Sequence, residues 1–241
     1  MKPLPSRLAL GQHFWRAMQK RMLVCDPETA HDQTLALLVH LQRLHALPLL
    51  TFLFRSPYIH QAVNIGGVVW SNPFGIPAGV DKNAVAIAGW DALGVGCIEA
   101  GTVTPEPQVG KSKPRIFRYP DECALVNRCG FNNDGAEAVA RRLRDLHARR
   151  HVRAAVGVSM GKQTETPIED AVGDYLWVFR IILPALRPNW DFVQINISSP
   201  NTEGLIKIWQ QLDEFLGAYM AGAVTIAQEA GRKLPTHYLK L

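Results

Sequence analysis

The chain has 241 residues, 47% of them hydrophobic and 20% charged, which excludes a disordered polymer and provides for one sizeable α/β domain with a smaller appendage. A formal net charge of +5 would by itself fit nucleic acid, an anionic membrane surface or an acidic substrate, so its distribution matters more than its sum. That distribution is uneven: residues 1 to 25 carry Lys2, Arg7, Arg16, Lys20 and Arg21, and the first acid is Asp26.

Leu10, Phe14, Met18 and Met22 recur every fourth residue while Arg16 and Lys20 fall on another face, which predicts an amphipathic basic helix. Asp26 as N-cap, Pro27 in the first turn and the stripe Ala30, Thr34, Leu37, Leu38, Leu41 and Leu44 predict a second helix directly after it. The uncharged run "LPLLTFLF" follows at residues 47 to 54. These segments read equally as two helices packed on a core or as a monotopic membrane-surface hairpin, with apolar faces in lipid and basic residues at the headgroups. An acid-free start containing arginine also fits a mitochondrial presequence, although this one is poor in serine. No stretch supplies the ~20 consecutive apolar residues of a membrane span, because the uncharged run 61 to 79 is broken by Gly66, Gly67, Pro73, Gly75 and Pro77.

From about residue 64 the texture changes. "NIGGVVW" predicts a hairpin turning at Gly66 and Gly67, and "FGIPAGV" a short buried strand ending in a glycine-bearing loop. Then come a helix over 84–93, the strand "VGCIEAG", a long loop, a helix over 134–149, the strand "AAVGVSM", a helix over 168–183, the strand "FVQINIS", a helix over 210–230 and the strand "HYLKL". Such alternation implies parallel strands joined by crossover helices, with the site at the carboxyl ends of the strands. The four cysteines, Cys25, Cys97, Cys123 and Cys129, form no CxxC pair and have no histidine at ligand spacing, so a reduced compartment is expected and no metal.

Four strand ends carry the candidate chemistry: "AGVDKN" with Lys82, "AGTVTPEPQ" with Thr102, "VSMGK" with Ser159 and Lys162, and "NISSPNT" with Asn196, Ser199 and Asn201. Acids are scarce beside these strand ends, where Asp81 and Glu99 stand, and Glu99 is expected to point into the barrel wall or pair locally, which argues against a paired-carboxylate glycosidase. Amides, hydroxyls and lysines suit a flat polar heterocycle or a small anion. The loop "LVNRCGFNNDG" reads on its own as a turn, with Gly130 at positive φ and Asp134 or Asn133 capping the next helix.

Together, "NPFGIPAGVDKN", "IEAGTVTPEPQVGKSKPRIFR", "NRCGFNNDG" and "INISSPNT", with "DPETAH" before them, resemble the successive signature blocks of dihydroorotate dehydrogenase, in its class 2, quinone-reducing, membrane-associated form. The resemblance runs from about residue 26 to the last residue. It implies a (βα)8 TIM-type barrel, here incomplete at about five strands (residues 58–241), behind an N-terminal two-helix extension (residues 1–57) that associates with a membrane and admits quinone. It further implies flavin mononucleotide (FMN) as cofactor, dihydroorotate and orotate as substrate and product, ubiquinone or menaquinone as acceptor, and no nucleic-acid partner. The expected place is the cytoplasmic side of a bacterial inner membrane, with the mitochondrial inner membrane as the alternative. Carried over by position, Ala78, Gly79, Lys82, Thr102, Ser159, Asn196 and Lys240 match flavin contacts. Lys82, Asn127, Arg128, Cys129, Gly130, Phe131, Asn196 and Asn201 match groups around the pyrimidine. Ser199 matches the catalytic base, with Thr202 as its relay.

The sequence departs from this pattern at Ser159, where the family presents an asparagine, at Pro77, and in "NTEGLIKIWQQL". It also stops one residue after Lys240, on the expected fifth strand, which leaves two readings: an enzyme whose further strand-helix units lie beyond this sequence, or a catalytically silent relative serving as a structural or assembly subunit of a larger complex.

Overall fold

A computed structural model describes residues 6–56, 61–199 and 205–241. The chain opens with three helices, α1 (Ser6–Val24), α2 (Pro27–Arg43) and α3 (Leu47–Phe54), the last formed by the uncharged run that the sequence left unassigned. Helix α2 starts as its sequence requires: Asp26 Oδ1 accepts the Thr29 amide at 2.8 Å and proline occupies the first turn. Helix α1 does not pack through its fourfold apolar stripe. Leu8 and Gly11 are its buried residues, while Leu10 and Phe14 are 61% and 50% exposed. The contact with α3 selects glycine, because a Cβ on Gly11 would stand 2.4 Å from the Leu53 carbonyl oxygen. Helices α2 and α3 meet at 115°, and no single helix among the described residues is long and apolar enough to cross a membrane.

The hairpin β1 (Val63–Ile65) and β2 (Val68–Trp70) turns at Gly66 and Gly67, whose φ angles of 54° and 91° suit a type I′ turn. There follow β3 (Gly75–Asp81), α4 (Ile87–Leu93), β4 (Cys97–Val103), β5 (Ile116–Tyr119), β6 (Ala124–Asn127), α5 (Ala136–Arg149), β7 (Ala155–Met160), α6 (Ala171–Ile182), β8 (Phe192–Asn196), α7 (Leu205–Gln210), α8 (Leu212–Glu229) and β9 (Thr236–Lys240). Strands β3, β4, β7, β8 and β9 pair in that order, every pair parallel. Successive parallel pairing with intervening helices is the architecture of a (βα)8 barrel, here as an open five-stranded arc. The stretch expected as one long loop contains the antiparallel hairpin β5–β6. Strand β6 is exposed along its whole length, so its sequence carries no alternation of polar and apolar residues by which to find it.

One face of the arc is covered by helices: Ile98, Val156, Val158, Val193 and Ile195 share a core with Leu143, Tyr175, Phe179 and Tyr219. The other face is closed at its lower end by the β1–β2 hairpin, where Val68, Cys97, Ala155 and Phe192 pack with Trp70 and Tyr238. Trp70 stacks on Phe192 at 6.4 Å, and the Tyr238 hydroxyl donates to the Ile65 carbonyl. With an apolar plug at that end, the polar side chains of the concave face are left at the carboxyl ends of the strands.

Candidate active site

At those carboxyl ends lies a cavity of about 480 Å³. Ala78, Gly79 and Lys82 reach it from β3 and the turn after it, Thr102 from β4, and Asn127, Cys129, Gly130 and Phe131 from the end of β6 and its loop. Asn196, Ser198 and Ser199 enter from the end of β8, and Lys240 from β9. Segments far apart in sequence therefore meet at one opening. Two of the expected site residues do not reach it. Ser159 stands behind Thr102, its Oγ 3.0 Å from Thr102 Oγ1. Arg128 turns its guanidinium onto the Pro114 carbonyl, at 2.9 Å, and over the Phe117 ring, so the arginine fastens the loop to the β5 side. Asn201 and Thr202 lie outside the described residues.

The polar groups are held rigidly from behind. Thr102 Oγ1 accepts Asn196 Nδ2 at 2.7 Å, and Asn196 Oδ1 accepts both the amide and the hydroxyl of Ser198, at 3.1 and 2.9 Å. The Tyr175 hydroxyl, whose pKa is pushed up by burial, stays protonated and donates to the Asn196 carbonyl at 2.7 Å. This small turn fixes both the Asn196 carboxamide and the direction in which the chain leaves towards Ser199. Lys82 and Lys240 both line the cavity, and among the described residues neither ammonium group has a hydrogen-bond or ion-pair partner. Two uncompensated cations at the mouth of one cavity attract an anion or a ring that gathers negative charge. Lys162, grouped by sequence with the strand ends, is 2% exposed and donates to the carbonyls of Gln163 and Thr166; it ties its own loop.

Neither acid at the strand tips is free. Asp81 accepts the amides of Val85 and Ala86 at 2.9 and 2.8 Å; burial raises its pKa, and these donors pull it part of the way back. Glu99 accepts the Ala78 amide at 3.1 Å and the Gln194 side-chain amide at 2.8 Å, the local pairing expected of it. No group of three or more His, Cys, Asp or Glu side chains that could hold a metal occurs among the described residues.

The loop before α5 differs from its expected cap. The helix starts after Gly135 without a side-chain cap, and Asn133 is instead a buried tie. Its Nδ2 donates to Thr104 Oγ1 and the Phe131 carbonyl at 2.8 and 2.7 Å, and its Oδ1 accepts the Gly135 amide at 2.8 Å. Asn133→Ala strands these groups in the interior, so urea unfolding should show a loss of about 1–3 kcal/mol.

Sequence reasoning missed His31 of α2 and Ile116, Arg118 and Leu125 of the β5–β6 hairpin, all of which line the cavity. The alternation in "RIFR" puts Ile116 and Arg118 on one side of a strand, a signal hidden by the long-loop reading. Arg118 Nη1 donates to the Leu23 carbonyl at 2.9 Å and holds the end of α1. A second cavity, of about 470 Å³ between the end of α1 and β5, shares Pro27, Ile116 and Arg118 with the first.

A sequence model described as dihydroorotate dehydrogenase matches residues 60–214. The "Dihydroorotate dehydrogenase (quinone)" of Polaromonas naphthalenivorans is 41% identical over 215 residues, covering 87% of this chain and 59% of that protein. The protein of the same name from Thermus thermophilus is 43% identical over 202 residues, covering 83% and 57%. Among solved structures, the DHODH of Eimeria tenella in complex with ferulenol superposes with a TM-score of 0.74 at 30% identity, covering 90% of this chain and 59% of that one. The chain thus spans 59% of the length of the first of these curated relatives.

Proposed function

This chain belongs to the dihydroorotate dehydrogenase family, and we propose that its cavity oxidises dihydroorotate to orotate with FMN, passing the electrons to a membrane quinone as a step of pyrimidine biosynthesis. One observation carries the reading: Lys82, Asn127, Asn196, Ser199 and Lys240, from four separate segments, line a single cavity.

The residues present fit a flavin ring. Gly79 has φ +105° and nothing within 4 Å of where a Cβ would stand, which leaves a bare stretch of backbone for a flat ring to approach. Thr102, Asn196 and the two unpaired ammonium groups supply polar contacts around that surface. When bound, the flavin accepts a hydride at N5 from C6 of the substrate. The protein's part is to orient and to move a proton. Lys82 pairs with the substrate carboxylate, and the carboxamides of Asn127 and Asn196 grip the edges of the pyrimidine. Ser199 Oγ removes the C5 proton, with Thr202 as its expected relay to solvent. Lys240 stabilises negative charge at the pyrimidine edge of the flavin.

The N-terminal helices, as a unit of residues 1–57, suit a peripheral membrane contact at the cytoplasmic face of a bacterial inner membrane. Leu10, Phe14, Trp15 and Leu23 are exposed on α1 beside Arg16, Lys20 and Arg21, the composition of an interfacial helix. The second cavity, sharing a wall with the first, is a path by which a quinone reaches the flavin.

The test is optical. Purified protein, or protein supplied with FMN, should show flavin absorbance that bleaches anaerobically on adding dihydroorotate. A folded chain that takes up no FMN, or bound FMN that dihydroorotate fails to reduce, overturns the proposal.

A further inference from the structure

Strands β3 and β4 are in ordinary parallel register at Gly75↔Cys97 and Ile76↔Ile98, but the next aligned pair is Asp81↔Ala100. Between those pairs, residues 77–80 of β3 stand against Glu99 alone on β4. Such a bulge takes the backbone out of the ladder and re-aims it, and bulges of this kind recur beside active sites. The extra residues cannot be held by ladder hydrogen bonds, and two side chains replace them. Glu99 accepts the Ala78 amide at 3.1 Å. On the far side of the bulge, His31 Nε2 lies 2.6 Å from the Val80 carbonyl; a carbonyl can only accept, so Nε2 carries the proton. Gly79 sits between these two fixed points, at φ +105° with open space where a side chain would be.

Glu99 is itself steered. Its other oxygen accepts the Gln194 amide nitrogen at 2.8 Å, while Gln194 Oε1 is buried with no partner. A buried acceptor left unpaired is costly, so this layer of the concave face gives up hydrogen bonding in order to orient the carboxylate.

We propose that Glu99 is a positioning residue which, with His31 as the second holding point, fixes the 77–80 bulge as the bare backbone platform on which the flavin ring rests. This deepens the functional reading above and rests on it for the identity of the ring. It assigns Glu99 no contact with substrate or flavin. It also makes the platform depend on α2, because one of its two holding points belongs to the N-terminal helices.

The test compares Glu99→Ala, Glu99→Gln and His31→Ala in the full chain. In FMN-free protein, hydrogen exchange of the 75–82 segment should accelerate at least ~10-fold in Glu99→Ala, whose Ala78 amide has lost its acceptor. FMN titration should show binding weakened by ~10-fold or more in Glu99→Ala and by a smaller factor in His31→Ala. Glu99→Gln should lie close to wild type in both measurements, since its carbonyl can accept the Ala78 amide and its nitrogen can donate to a rotated Gln194. Exchange and affinity unchanged in Glu99→Ala, or Glu99→Gln as impaired as Glu99→Ala, would overturn the proposal, the second result because it would place the effect in the charge. Should Glu99→Ala fail to fold, Glu99→Gln and His31→Ala still decide by the same two measurements. A wild-type chain that binds no FMN counts against the functional reading, while the exchange comparison still decides the clamp.

Discussion

Ser199→Ala is expected to slow reduction of the bound flavin by dihydroorotate roughly 10²- to 10⁴-fold, the usual contribution of a positioned proton acceptor, while FMN affinity stays within a factor of about two. The two halves of this prediction separate a base from a binding group. Ser199 lines the cavity, and the chain delivers it there by a fixed turn in which Asn196 Oδ1 takes the amide and hydroxyl of Ser198. The indole of Trp209 holds the same exit by donating to the Ile197 carbonyl at 3.0 Å. Alanine leaves the two Asn196–Ser198 bonds in place, because neither of them involves Ser199. A serine is a weak base at neutral pH and works only where a hydrogen-bonded path carries its proton onward. The reductive rate should therefore rise with pH in the wild type and lose that dependence in Ser199→Ala. Stopped-flow reduction across pH reads both effects, and a variant reduced at the wild-type rate would remove Ser199 from the chemistry.

The barrel strands were legible in sequence because each is a short apolar run closed by a glycine-bearing or polar segment, as in "FGIPAGV" and "FVQINIS", with a helix-length stretch between them. Asp26 was readable as a cap since its role is local: an oxygen three residues from the amide it accepts. What could not be read depends on neighbours distant in sequence. Strand β6 has no buried face to impose a pattern. Arg128 points away from the cavity because of the Pro114 carbonyl, fourteen residues earlier in the chain. Ser159 is screened by Thr102 from the neighbouring strand. The stripe of α1 read equally as a packing face or a lipid face, and the structure buries Leu8 and Gly11 instead, since the approach of α3 needs a missing side chain more than an apolar one. The 77–80 bulge is likewise invisible in "GIPAGVD", because it exists only relative to the register of β4. Its glycine, matched from the sequence to a flavin contact by resemblance alone, gains a structural reason only once the register of β4 shows the backbone leaving the ladder.

Removing the cation that holds α2 to the barrel should be the most destabilising single change outside the core. Arg115→Met is expected to cost about 3 kcal/mol at neutral pH, near the lower end of the 3–5 kcal/mol lost when one partner of a buried ion pair is deleted. Arg115 is 7% exposed and donates twice to Glu28 Oε1, at 2.9 and 2.7 Å, and to the Val109 and Lys111 carbonyls at 2.8 and 3.1 Å. Methionine keeps much of the aliphatic volume but leaves Glu28, 8% exposed, with Lys113 as its nearest cation at 3.2 Å, and that ammonium is largely in solvent. Glu28→Gln should be milder, because an amide accepts from Arg115 without stranding a carboxylate. The pair also sets an acid limit. Burial works to raise the Glu28 pKa, but its bonds to Arg115 and Lys113 outweigh burial and hold it below the ordinary value of 4.5. A carboxylate with a depressed folded-state pKa contributes stability that is complete above its unfolded value and is lost as pH falls through the folded one. The advantage of wild type over Glu28→Gln in urea should accordingly be constant near neutrality and shrink below about pH 4.5. An Arg115→Met midpoint within 1 kcal/mol of wild type, or a Glu28→Gln difference independent of acid, would show that α2 is held to the barrel without help from this ion pair.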